Sequence, residues 1–96
     1  MVTDPYRRYC SELSAACAAL GLATSPFPTQ VRVWDPDFEQ FAELITCRPG
    51  PGGVPSFFWS LGAAAGPVSE VRTIAALAVK VVSPRLQGFP AGRSRR

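Results

Sequence analysis

Apolar residues recur at three- and four-residue steps near the start of the chain: Tyr6, Tyr9, Cys10, Leu13, Ala16, Cys17 and Leu20. That spacing gathers them on one face of a helix over Pro5–Leu20. Asp4 before Pro5 supplies a start signal, because a carboxylate accepts from the unpaired amides of the first turn and Pro at the first helical position forfeits no hydrogen bond. Gly21 predicts a left-handed C-terminal cap, with Leu22 folded back onto the last turn. The period then changes. Residues 23–28, ATSPFP, read as a connector, since the prolines hold themselves and their predecessors extended. Val31 and Val33 alternate with Gln30, Arg32 and Trp34, the period of a half-buried strand over Thr29–Trp34, and Asp35-Pro36-Asp37 closes it as a turn.

Farther on, Phe41, Glu43, Ile45 and Cys47 alternate with Ala42, Leu44 and Thr46, which predicts a second strand over about Ala42–Arg48, entered through a short turn at Phe38. RPGPGGVP reads as a hairpin loop, too rich in Pro and Gly to hold a ladder. Ser56–Leu61, SFFWSL, is dense in aromatic β-formers and makes the third strand. Gly62–Gly66 is a small-residue connection. Pro67 is expected to open a last helix with Val71, Ile74, Ala75, Ala78, Val81 and Val82 on one side, and Pro84 to stop it. The order is helix, strand, strand, strand, helix. Three strands with short links make an antiparallel meander, and two apolar helix stripes can be buried on one of its faces. The predicted fold is therefore α+β: a three-stranded antiparallel sheet with two helices on one face, a two-layer sandwich. It forms a single domain over residues 1–84, with a mobile basic tail over residues 85–96.

At 96 residues the chain has room for one small domain, whose modest stability a partner would raise. A hydrophobic share of 47% excludes a wholly disordered chain, while no segment offers the apolar, Pro-free run of a membrane helix. There is no His, which removes His-based triads, His-containing zinc sites and the commonest general base. The three Cys form no CxxC pair and suit a reducing compartment, and MVTDPYRR lacks the pattern of a secretory leader, so a cytoplasmic location is expected. The net charge of +3 is unevenly spread. Arg85, Arg93, Arg95 and Arg96 lie in the tail, so residues 1–84 hold six basic groups against seven acids.

Few residues suggest chemistry. Cys10 and Cys17 stand two helical turns apart on the apolar face and read as core, and Cys47 has no His to activate it. Asp35, Asp37, Glu39 and Glu43 lack the spacing of a calcium loop, and Asp beside Pro is favoured in turns. Gly50, Gly52 and Gly53 precede a strand, not the helix that a phosphate loop requires, and Lys80 reads as a solvated helix lysine. No catalytic residue, metal site or cofactor is expected. The aromatic residues carry more. Two helices cover one face of a sheet only, so Trp34, Phe58 and Trp59 are expected to include anchors of an interaction surface on the open face or an edge. The expected function is a non-enzymatic interaction or adaptor module that binds another protein or a second copy of itself. The alternative is a small accessory factor of transcription that contacts nucleic acid through Arg85, Arg93, Arg95 and Arg96.

The segments VRVWDPDF, AELITCRPGPGG, FFWSLG, GPVSEV and AVKVVSP give the chain a further likeness. It resembles a group of small uncharacterised bacterial proteins from GC-rich genomes, with a helix, a β-meander ending in an FW-x-S-W-G-like strand, a Gly-Pro turn and a last helix. The likeness covers Pro5 to Pro84. Leu61 stands where such proteins tend to have a second Trp, and Val68-Ser69-Glu70 replaces a more acidic helix start. The resemblance implies the fold and carries over no catalytic residue.

Overall fold

In the computed structural model, which describes residues 5–83, the first apolar stripe winds into helix α1, Pro5–Ala19, and buries Cys10, Leu13 and Cys17. Its end follows from Gly21. The Gly21 amide donates to the Ala18 carbonyl at 3.0 Å and the Leu22 amide to the Cys17 carbonyl at 3.2 Å, the two bonds of a Schellman turn. Gly21 sits at φ +94°, where a side chain would be strained, and Leu22 is turned into the core.

Five strands follow as one antiparallel meander, side by side in chain order: β1 (Ala23–Pro26), β2 (Gln30–Asp35), β3 (Phe38–Pro49), β4 (Pro55–Phe58) and β5 (Ala64–Pro67). The sheet thus has five strands and not the three expected. The additional two, ATSP and AAGP, are its edges. An edge strand is laddered on one side only, so it tolerates Pro26, Pro67 and small residues that argue against a central strand. Three boundaries also differ from the sequence pattern. β3 begins at Phe38 because a register shift opposite Val33–Asp35 breaks its alternation. β4 stops at Phe58, where a turn closed by the Gly62 amide on the Trp59 carbonyl at 2.8 Å takes over. Pro67 belongs to β5, with an extended ψ of 155°, and a 3-10 turn over Val68–Glu70 leads into α2, Val71–Val82.

Asp35 and Asp37 form the β2–β3 turn as expected, the Asp37 amide donating to Asp35 Oδ1 at 2.9 Å. Glu43 on β3 pins the β4–β5 turn. Its carboxylate accepts from the Ser60 amide at 2.9 Å and from Ser60 Oγ at 3.0 Å. Both helices lie on one face of the sheet: α1 meets β1, β2, β3 and α2, while α2 meets β2, β3 and β5. Val31, Val33, Ile45, Cys47 and Phe57 form the sheet's side of the core, and Leu13, Cys17, Ile74, Ala78 and Val82 the helical side. The α+β class with two helices on an antiparallel sheet therefore holds. Asp4, Pro84 and the basic segment with Arg85, Arg93, Arg95 and Arg96 lie outside the described residues.

Candidate interaction surface

Strand register decides which side chains stand away from the helices. Val31 is opposite Ile45, and Cys47 opposite Phe57, on the covered side. Side chains alternate, so Gln30, Arg32 and Trp34 of β2, Leu44, Thr46 and Arg48 of β3, and Ser56 and Phe58 of β4 belong to the open face. None of these is acidic.

The two rings on this face are each covered by a guanidinium. Arg32 lies 4.5 Å from the centroid of the Trp34 ring, and Arg48 lies 3.8 Å from that of Phe58. The first pair joins residues two apart on one strand. The second is a diagonal cross-strand neighbour, since Arg48 stands opposite Ser56. Phe58 is only 8% exposed on a face that no helix covers, with Arg48 as part of its roof, whereas Trp34 stays half-buried. Neither arginine has a carboxylate within 4.0 Å among the described residues, where Arg8–Glu12 forms the ion pair seen on α1.

The aromatic residues singled out from the sequence are thus divided. Trp34 and Phe58 lie on the open face, on either side of β3. Trp59 is half-buried and packs against the core. The arginine roofs were not anticipated. The Arg32 roof has a local signal, Arg-x-Trp within a strand whose Val31 and Val33 face inward. The Arg48 roof depends on the β3–β4 register and has none.

Elsewhere the reactive side chains are dispersed. Cys47 is buried opposite Phe57, the Glu43 carboxylate is held by Ser60, and Asp37 sits in the β2–β3 turn. At roughly 3.3 Å per strand residue, Glu43 and Cys47 are about 13 Å apart along β3. Among the described residues, no three His, Cys, Asp or Glu side chains are placed to share a metal ion. None of the described helices is long and apolar enough to cross a membrane. On the outer side of the helical layer, Ala15, Ala19, Leu20, Ala75 and Ala76 line a shallow groove between α1 and α2, with Arg72 at its rim.

Cys10, Cys17 and Cys47 are all buried, and none forms a disulfide. Burial pushes the Cys17 thiol up to about 11. An unfolded thiol ionises near 8.5. The folded chain therefore keeps Cys17 protonated where the unfolded chain does not, and the associated stability is fully present below the unfolded value and lost as pH rises towards 11. Between about pH 8 and about pH 10.5 the native protein is expected to lose about 2 kcal/mol more unfolding free energy than Cys17→Ala, by urea denaturation at both values. Equal losses would place the Cys17 thiol in contact with solvent.

The chain matches no family model, and no curated protein and no solved structure aligns with it significantly.

Proposed function

We propose that this protein is a non-enzymatic interaction module that docks a partner protein on the open face of its sheet, across β2, β3 and β4. The observation that carries this reading is the pair of arginine-roofed rings, Arg32 on Trp34 and Arg48 on Phe58, on a face that no helix covers and with no carboxylate within 4.0 Å of either arginine among the described residues. Aromatic and arginine side chains with part of their area already immobilised are the common anchors of protein interfaces, because little side-chain entropy remains to be lost on docking. The scattered acids and buried thiols support a binding role over a catalytic one. A second copy is a poor occupant of this face, since stacking it on itself opposes four guanidiniums that meet no carboxylate of their own chain among the described residues.

A photo-crosslinking side chain at Leu44, in the middle of the face, tests the reading in the native host. A discrete adduct is expected, with the crosslinked protein rebinding the purified chain. The same group at Ser11, on the exposed side of α1, is expected to give none. Adducts from Ser11 alone, or from neither position, would overturn the proposal.

A further inference from the structure

Resting on that reading, we infer that the open face recognises an acidic segment of its partner, in extended conformation, through Arg32 and Arg48. The chemistry follows from how the two guanidiniums are held. A guanidinium stacked on a ring spends its flat face on that contact and keeps its N–H groups in the plane, where they present a fork to a carboxylate. Both arginines are exposed, both are held over a ring, and neither meets a carboxylate of its own chain among the described residues. The positive charge of the face is therefore uncompensated locally, although the described residues as a whole hold equal numbers of acids and bases.

Register sets the spacing of the ligand's charges. Arg32 stands opposite Leu44, and Arg48 is four residues farther along β3. At about 3.3 Å per residue and about 4.8 Å between strands, their backbone positions are roughly 14 Å apart. An extended segment with acidic side chains four residues apart spans that distance and keeps both on one side, because an even step returns a strand side chain to the same face. Leu44 stands directly opposite Arg32 and Thr46 lies midway towards Arg48 along β3, so the residue midway between the acids meets Thr46.

The same geometry argues against single-stranded nucleic acid. Binding of that kind uses open aromatic faces on which bases stack, together with a line of cations that tracks the phosphates. Here each ring carries a guanidinium, and among the described residues β2, β3 and β4 supply two cations to the open face.

The full chain and a fluorescein-labelled peptide test this by anisotropy. The probe is a capped twelve-residue peptide of Thr and Val with Glu at every fourth position. One control has Gln in place of Glu, and the other is a labelled oligo-dT of equal length. The Glu peptide is expected to bind at least about tenfold more tightly than the Gln peptide, and to weaken with added salt. Arg32→Gln/Arg48→Gln should lose at least about tenfold, with Arg32→Lys/Arg48→Lys in between because charge is kept and the fork lost. Unchanged far- and near-ultraviolet circular dichroism would confirm that these variants are folded. Equal binding of the Glu and Gln peptides, or tighter binding of oligo-dT, would overturn the inference. The Leu44 crosslink separates this from the docking reading. An adduct that persists in Arg32→Gln/Arg48→Gln, or whose crosslinked segment lacks Asp and Glu, refutes the acidic segment alone. The absence of any Leu44 adduct refutes docking itself.

Discussion

Phe57→Ala is expected to cost about 3–5 kcal/mol of folding stability. Phe57 is the largest of the fully buried side chains. It stands on β4 between Cys47 on β3 and Gly66 on β5, and Gly66, at φ +148°, brings no side chain to its flank. Its two in-sheet neighbours are too small to refill the space, so a cavity is left and the penalty falls in the range for ring truncation. A domain of this size is stable by about 4–12 kcal/mol in all. The variant is therefore expected to unfold at a far lower urea concentration, or to fail to fold. Should it fail, Phe57→Leu keeps more of the volume and is expected to lose about 1–2 kcal/mol. Leu61→Ser is the matching control. Leu61 is 97% exposed in the turn after β4, so its substitution is expected to stay within about 0.5 kcal/mol. A Phe57→Ala loss below about 1 kcal/mol would contradict the placement of this ring in the core.

Phe57 and Leu61 also show how far the sequence could be read. Alternation through FFWSL separates Phe57 and Trp59 from Phe58, and the structure keeps that separation. Which set faces the helices depends on pairing with β3, a contact distant in sequence. The body and C-terminal end of helix α1 were legible, because its stripe and its Gly21 cap are both local signals. The start of α2 was not. Proline is compatible both with a helix's first turn and with an edge strand, and at Pro67 the neighbouring ladder decides for the strand. The edge strands ATSP and AAGP were missed for the same reason: their own residues barely favour a strand, and they are recruited by stronger neighbours. The open face was only partly legible. Arg32 beside Trp34 is written into one strand, but Arg48 over Phe58 requires knowing that Arg48 stands opposite Ser56.

Asp35→Ala is expected to destabilise the protein by about 2–4 kcal/mol, through a contact that spans half the chain. Asp35 is fully buried at the end of β2. One carboxylate oxygen accepts from the Asp37 amide at 2.9 Å within the turn, and the other accepts from Ser83 Oγ at 2.5 Å, just beyond α2. Ser83 is itself fully buried, and its amide continues α2 by donating to the Val79 carbonyl at 2.9 Å. The carboxylate therefore ties the end of α2 to the β2–β3 hairpin. Truncation to Ala leaves the Ser83 hydroxyl and the Asp37 amide without this partner, and an orphaned buried polar group costs more than its hydrogen bond contributed. Ser83→Ala removes one donor and leaves the carboxylate its turn amide, so a smaller loss of about 1–2 kcal/mol is expected. In Asp35→Ala/Ser83→Ala the orphaned hydroxyl is gone as well. The double variant should then lose less than the sum of the two single losses, by about 1 kcal/mol or more, in urea denaturation. Strict additivity would show that the Ser83 hydroxyl contributes nothing to holding α2 on the hairpin.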